Sequence, residues 1–500
     1  MTNLLVVAAL RTERIALTGV GATLERCGMG PRRVRAWLPR LDELAPGAVV
    51  VAGLAGGIDP ALKAGDVVVA SEVRDKSGSV RLPAGAPLVA ELRALGLRVH
   101  HGPIVTSDRL VVDRAERTAL AMDGVLAVDM ESATIVRALA ERSEPLPVAV
   151  VRVIIDTVDT PLARPQTISN GVRALRVLHR VRPALRAWAA LAAPRQVVLA
   201  APRSFCAGVE RAIEIVEAAL RRYPHPVYVR RQIVHNAHVV EDLQRRGVIF
   251  VDELAEIPDG ATVVLSAHGV APAVRAEGAR RDLNVIDATC PLVAKVHTEA
   301  RRFARDKQVL LVGHAGHDEV EGTLGQVPGR ITLVQDAGEA ASIEVDDPDR
   351  VAFVLQTTLG LDEAAATVGA LRRRFPLIES SASDDICYAT TNRQRAVAAI
   401  VPDCDVLLVV GSGNSSNSRR LVEVAEGMGT PAHLIDDVSE VQPEWLAGAP
   451  SVGVTAGASA PPQLVDEVIE TLRAFGPVHV REHVVTTEDL TFTLPKGVAG

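Results

Sequence analysis

Short runs rich in valine, leucine and alanine recur along this chain: AVVVAGLAGG (48–57), PVAVVRVII (147–155), QVVLAAP (196–202), ATVVLSAHG (261–269), QVLLVGHAG (308–316), DVLLVVGSG (405–413) and SVGVTAGAS (451–459). Several run into Gly, Ser or His before a stretch with helical periodicity. A strand that is apolar at every position needs cover on both faces. Parallel sheets flanked by helices provide that cover. The pattern predicts an α/β fold with ligand-binding loops at the C-terminal ends of the strands.

The length of 500 residues suits two to four domains. The best break is the Ala- and Arg-rich stretch RVRPALRAWAALAAPRQ, which closes with a proline before a new strand at Gln196. This predicts a domain over 1–185, a linker over 186–195 and a larger unit of two or three lobes over 196–500. A net charge of −7 and an aromatic content of 3% give no general attraction to nucleic acid or anionic membrane, and few stacking platforms. No apolar run reaches the roughly 18–20 residues of a membrane helix. MTNLLVVAALRTER reads as a first strand rather than a signal peptide. Five scattered cysteines point to a reducing, cytoplasmic setting rather than to disulfides.

Three of those cysteines share a context, in VVLAAPRSFCAGVERAIEIV, VIDATCPLVAKVHTEA and DDICYATTNRQRAVAAI. Each reads as a strand running into a cysteine that opens a helix, a weak internal repeat. The separations are 84 residues (206 to 290) and 97 residues (290 to 387), far from a short zinc motif. Cys206, Cys290 and Cys387 can therefore meet only through the fold. A helix N-terminus favours thiolate, the form iron requires. Three thiolates on a four-iron cluster leave one iron open to substrate. A single cysteine in such a place is more often core packing, so the argument rests on the repetition. Cys27 and Cys404 lack that context and read as packing.

The other strand ends carry polar loops. His235 lies in IVHNAHVV, His268 in SAHGV and His317 in GHAGHDEVEGT. Ser415, Ser416 and Asn417 precede a helix, and Ser459 ends VGVTAGAS. Serine and asparagine donors at helix N-termini bind phosphate oxygens without a P-loop, and no GxxxxGK[ST] is present. Singly, each histidine could be a satisfied core or capping residue; together they suit anion binding and proton supply. A carboxyl beside a bound anion should keep its proton, and both Glu319 and Glu321 are placed for that. Thr357 and Thr358 could relay it.

The strings PRSFCAGVERAI, VHNAHVVEDL, SAHGV, DATCPLVAKVH, GHAGHDEVEGT, QTTL, DDICYATTNRQ, GSGNSSNS and VGVTAGASAP resemble, in order from about 196 to 495, the 4-hydroxy-3-methylbut-2-enyl diphosphate reductases. The resemblance implies a three-lobed α/β reductase with a pseudo-threefold arrangement around a [4Fe–4S] cluster. It also implies reductive dehydroxylation of an allylic diphosphate, with electrons from ferredoxin or flavodoxin. Matched by motif, the cluster ligands are Cys206, Cys290 and Cys387. His235, His268, Ser415, Ser416, Asn417 and Ser459 fall on diphosphate contacts. His317, Glu319 and Thr357 fall on the positions that handle the substrate hydroxyl and its proton, which selects Glu319 over Glu321. The chain departs from the pattern at Ser204, where glycine is usual, and at Gly360, where serine is common.

Over about 1–185, AALRTER, CGMGP, AGLAGGIDP, GDVVVA, TSDRL, AVDMESA and VRVIIDTVD resemble the nucleoside phosphorylase and methylthioadenosine/S-adenosylhomocysteine nucleosidase superfamily. From the residues alone, AGLAGG reads as a Gly-rich turn between two strands, and Glu131 and Asp156 as cap and turn candidates. The resemblance implies a purine nucleoside as ligand. It puts Glu13 at the nucleophile-orienting position, Glu131 with Met130 at the ribose and Asp156 at base protonation. Arg11 and Arg14 flank Glu13 where nucleosidases carry acids, leaving both phosphate and water as candidate nucleophiles. Two other readings stand beside the bifunctional enzyme: an N-terminal module that binds without turnover, and a structural zinc site on the three cysteines.

Overall fold

The computed structural model describes residues 3–142, 146–159, 166–383, 385–495 and 497–498. The chain forms two compact units, one of residues 1–196 with 442–450 and 469–479, the other of residues 197–441, 451–468 and 480–500.

The first unit is built on eight strands: β1 Leu4–Ala8, β2 Thr23–Arg26, β3 Ala48–Gly57, β4 Val67–Asp75, β5 Gly78–Arg81, β6 Val99–Thr106, β7 Ala127–Asp129 and β8 Val148–Asp156. The sheet is mixed, which corrects the wholly parallel expectation. β1 lies parallel between β2 and β3, and β3 is parallel to β8. β4 runs antiparallel to both β5 and β8, and β7 antiparallel to β3. Strand 4 returns as β5 through the two-residue turn Lys76–Ser77, and so short a connection can join only antiparallel neighbours. The pairings β3–β7–β6–β4–β8–β3 close a ring of five strands.

Burial on both faces of this sheet is as expected. Alternation along β1 sends Leu4, Val6 and Ala8 into one core and Leu5 and Val7 into the other. The AGLAGG segment is not a turn; it is the end of β3, with a register shift between Ala55 and Gly56. Gly53 is small for a steric reason: a Cβ there would lie 2.7 Å from both the Arg152 guanidinium and the Glu13 carboxylate.

Residues 186–191, expected within a linker, belong to the helix Arg182–Leu191. It buries Ala184, Leu185, Trp188 and Ala189 in the first unit's core, and the Trp188 indole N–H donates to the Ala84 carbonyl at 2.6 Å.

Twelve strands follow: β9 Arg195–Ala201, β10 Val227–Arg230, β11 Val248–Val251, β12 Thr262–Leu265, β13 Asn284–Asp287, β14 Gln308–Val312, β15 Ile331–Val334, β16 Val351–Leu355, β17 Val406–Val410, β18 Ala432–Ile435, β19 Ser451–Ala456 and β20 Val478–Val484. They make three sheets, ordered β11-β10-β12-β13, β15-β14-β16 and β18-β17-β19-β9-β20. The first two are parallel throughout, as the continuous apolar runs require.

The third copy of the strand–cysteine–helix repeat differs from the expectation. A strand precedes Cys206 and Cys290, but Cys387 is reached from the helix Leu361–Arg374 through irregular chain, with one isolated bridge between Ala352 and Glu379. Ser380, Ser381, Ser383 and Asp385 favour local turns over a ladder.

Trp188 measures how far the expected linker belongs to the first core. Trp188→Ala should destabilise the first unit by about 3–5 kcal/mol, seen as a lower denaturant midpoint for its unfolding transition. An unchanged midpoint would mean the helix is a detachable connector.

Candidate functional site

All three cysteines are N-cap residues: Cys206 of helix Ala207–Arg222, Cys290 of Pro291–Phe303 and Cys387 of Tyr388–Ile400. The three helix starts face one cavity, lined by Cys206, Cys290 and Cys387 together with His235, His268, His317, Glu319, Thr357, Thr358, Ser415, Ser416, Asn417 and Ser459. The fold thus brings together every site residue expected in the second unit. Tyr388, Thr390 and Phe492 also line the cavity. Tyr388 and Thr390 were legible only as helix residues after Cys387, and Phe492 lies on an irregular C-terminal stretch that carries no motif.

The thiols suit a metal cluster on their own terms. A Cβ at Gly208 would lie 2.7 Å from Cys290 Sγ and 3.8 Å from Cys206 Sγ, so the backbone is cut back where the sulfurs sit. Burial pushes the Cys290 thiol up to about 12 and the Cys387 thiol up to about 11. Without a cation these sulfurs keep their protons; iron would displace them. Backbone N–H groups at the helix start already donate to Cys387 Sγ, from Thr390 at 3.3 Å. Three soft donors with no fourth cysteine beside them fit a cluster that keeps one iron open.

Three imidazoles form the opposite wall. The His235 and His268 rings stack at 4.1 Å between centroids, and His317 meets them edge-on at 5.4 and 5.6 Å. Their nitrogens lie within 4.8 Å of one another, close enough to share an ion. Stacked rings, however, direct in-plane nitrogens side by side rather than at one point, which suits the spread oxygens of a diphosphate. Burial lowers all three and holds His317 at about 4, so the rings are neutral donors or acceptors at pH 7. His317 Nδ1 accepts the Glu319 N–H, leaving Nε2 to face the cavity, and His268 Nε2 has no hydrogen-bond partner among the described residues.

Helix Ser416–Gly427 starts beside them. Ser415 caps it, accepting the Ser418 N–H, and the Ser459 hydroxyl donates to the His235 carbonyl at 2.8 Å. Asn417 accepts the Ala458 N–H at 2.8 Å.

Glu319 and Glu321 separate cleanly. Glu319 is 2% exposed; its carboxyl accepts the Thr357 N–H at 2.6 Å and the Thr357 hydroxyl at 2.9 Å. Burial raises it to about 7. Glu321 is exposed and paired with Arg231 at 2.8 Å. The unusual Ser204 has φ of +62°, a conformation in which glycine costs less. Gly360, at φ −64°, starts helix Leu361–Arg374 without a side-chain cap, a loss of only a few tenths of a kcal/mol relative to serine.

A separate pocket in the first unit is lined by Glu13, Met130, Glu131 and Asp156 with Met29, Leu54, Arg117 and Asp129. Glu13 accepts N–H bonds from Ala9, Leu10 and Leu54 at 2.7–3.0 Å. Arg11 and Arg14 point to solvent. Glu131 accepts the Gly30 N–H, and burial raises its carboxyl to about 7. Two arginines had not been singled out. Arg152, in RVIID, is 1% exposed and lies 2.5 Å from Asp129 and 3.6 Å from Glu131. Arg117 pairs with Asp156 at 2.5 Å, opposing the burial that raises this carboxyl. An arginine inside an apolar strand run was a readable signal; Arg117, on an ordinary polar helix, gave none.

Cys27 is buried and Cys404 packs against Ile400 and Leu407, as expected for packing roles. Among the described residues no helix is long and apolar enough to cross a membrane.

Comparison with known proteins separates the two units. Residues 197–473 match the family model described as LytB protein, and residues 5–182 match that of the Phosphorylase superfamily. The 4-hydroxy-3-methylbut-2-enyl diphosphate reductase 2 of Mycobacterium bovis is 56% identical over 307 residues, covering 60% of this chain and 93% of its own length. The 4-hydroxy-3-methylbut-2-enyl diphosphate reductase of Leifsonia xyli is 57% identical over 304 residues, with coverages of 60% and 90%. The solved E-1-hydroxy-2-methyl-but-2-enyl-4-diphosphate reductase of Plasmodium falciparum is 34% identical, with a TM-score of 0.58 over 61% of this chain and 96% of that one. With more than half of its length in the family match and nearly the full length of these relatives spanned, the chain belongs to the LytB protein family, and it carries a phosphorylase-superfamily unit ahead of the LytB region.

Proposed function

We propose that the second unit reduces 4-hydroxy-3-methylbut-2-enyl diphosphate to isopentenyl and dimethylallyl diphosphate on a [4Fe–4S] cluster held by Cys206, Cys290 and Cys387. The observation that carries this reading is the single cavity where three N-cap thiols face three imidazoles and a buried carboxyl. When bound, the cluster supplies electrons and a Lewis-acidic iron without a protein ligand. His235, His268, Ser415, Ser416, Asn417 and Ser459 hold the diphosphate through neutral N–H, O–H and amide donors. His317, Glu319 and Thr357 then face the substrate hydroxyl. Glu319, raised to about 7, carries its proton in a large share of molecules at neutral pH; it delivers that proton as the C–O bond breaks, and the hydroxyl leaves as water. The full reaction takes up two electrons and two protons, the electrons arriving singly from a ferredoxin or flavodoxin. Cys206 follows β9, Cys290 follows β13, and the chain leading to Cys387 bridges to β16 at Glu379, so each cysteine borders a different sheet, which supports a three-lobed arrangement around the cluster.

For the first unit the reading is cleavage of a purine nucleoside. Glu131 and Met130 hold the ribose, Asp156 protonates the leaving base and Glu13 orients the nucleophile. Asp156 lines the pocket, and its Oδ1 is buried without a partner among the described residues, as expected of a group that waits for a polar ligand. The second reading, a module that binds without turnover, draws on the Arg117–Asp156 pair, whose guanidinium at 2.5 Å resists protonation of the acid, although burial outweighs it and leaves the carboxyl raised.

Three outcomes are expected. After anaerobic reconstitution with iron and sulfide, Cys290→Ser should lose the brown absorbance and the activity, while Cys404→Ser keeps both; zinc in place of iron on metal analysis would establish the structural-zinc alternative. Glu319→Gln should keep the cluster and lose turnover by about 10²–10⁴-fold, and wild-type kcat/KM should fall as pH rises through about 7, because the proton-bearing form is lost above that value. Adenosine-type nucleosides, with and without phosphate, should release base in a reaction abolished by Asp156→Asn; binding with no release in the wild type would select the silent module.

A further inference from the structure

Cys387 differs from the other two cysteines in having a side-chain donor at its sulfur. The Thr390 hydroxyl lies 3.1 Å from Cys387 Sγ, and Thr390 is 1% exposed. Threonine at this helix position ordinarily bonds back to a carbonyl or to solvent. The direction of the bond follows from its neighbours. Asn417 Oδ1 accepts the Ala458 N–H at 2.8 Å, which fixes the amide so that Nδ2 donates to Thr390 Oγ1 at 3.4 Å. With its oxygen already accepting, and with a metal-bound thiolate carrying no proton, the hydroxyl donates to sulfur.

We propose that Thr390 is a positioning residue that tunes the cluster's reduction potential through Cys387, and that Asn417 links this hydrogen bond to the anion-binding loop. The proposal rests on the reductase reading given above. A hydrogen bond to a ligand sulfur draws negative charge away from the metal and favours the reduced, more negative state, so it raises the potential. Asn417 stands between the two sites: its amide donates one hydrogen to Thr390, and its side chain lines the cavity where the diphosphate would lie, so the second amide hydrogen is the one left for an anion. An anion taking that second hydrogen changes the bond at Thr390. By reciprocity, cluster reduction changes the hold on the anion.

The test is a redox titration of the reconstituted full-length protein, followed by absorbance and electron paramagnetic resonance, with and without inorganic diphosphate. Thr390→Val removes the hydroxyl and keeps the backbone N–H bond to Cys387; Thr390→Ser restores the donor; Thr367→Val, at a fully buried threonine elsewhere, is the packing control. The expected result is a full cluster in all four proteins, a more negative midpoint in Thr390→Val alone, and a diphosphate-induced shift that is smaller in Thr390→Val than in the wild type. Equal midpoints in wild type and Thr390→Val would overturn the tuning role. A diphosphate shift of equal size in both would overturn the link through Asn417. Failure of the wild type to assemble a cluster would instead sink the reductase reading itself.

Discussion

Three thiols must be brought from distant places in the chain to one point, and the rest of the second unit is organised by that demand. Helix N-termini serve it in two ways. Each fixes a cysteine as the last extended residue before regular structure, and each offers backbone N–H groups that favour a negative sulfur. Burial works against the charge, holding Cys290 and Cys387 protonated in the absence of a cation. The site is therefore strongly biased: a metal that supplies positive charge releases the stored desolvation, and anything else leaves the sulfurs neutral and inert.

The imidazole wall obeys the same electrostatics with opposite sign. Crowding three histidines together is tolerable only because burial keeps them neutral. Neutral rings hold an anion by directed N–H bonds rather than by net charge, so the anion is oriented without a local excess of positive charge next to the thiolates. Glu319, bonded by the Thr357 N–H and hydroxyl, adds a carboxyl that burial keeps near neutrality as well. The cavity is thus lined by groups that burial keeps neutral, with Glu319 alone placed near the charge change that proton transfer requires.

Much of this was legible in the residues, for identifiable reasons. Apolar runs ending in small or polar residues imply parallel strands with loops at their ends, and the loop residues then converge. The choice between Glu319 and Glu321 was not available from local pattern, because both sit in one polar loop; it is decided by which side of helix Asp318–Leu324 faces inward. The mixed sheet of the first unit was hidden because a two-residue turn with no strong hairpin dipeptide, Lys76–Ser77, reverses the chain. Whether the helix at 182–191 connects or packs is not set by its alanine-rich composition; the buried contacts of Trp188 decide it. Arg152, inside an apolar strand run, is readable in the sequence, whereas Arg117 is not, because its ion pair with Asp156 depends on contacts between elements far apart in sequence.

Gly208 has no chemistry to offer, yet its missing side chain makes the room in which two of the sulfurs sit. Even a methyl group there would overlap Cys290 Sγ. A survey of tolerated substitutions would rank this glycine beside the metal-binding thiols and suggest a direct role in turnover. Its intolerance would instead measure empty space: the volume a bulky inorganic centre needs is written into the chain as a position where nothing may be added.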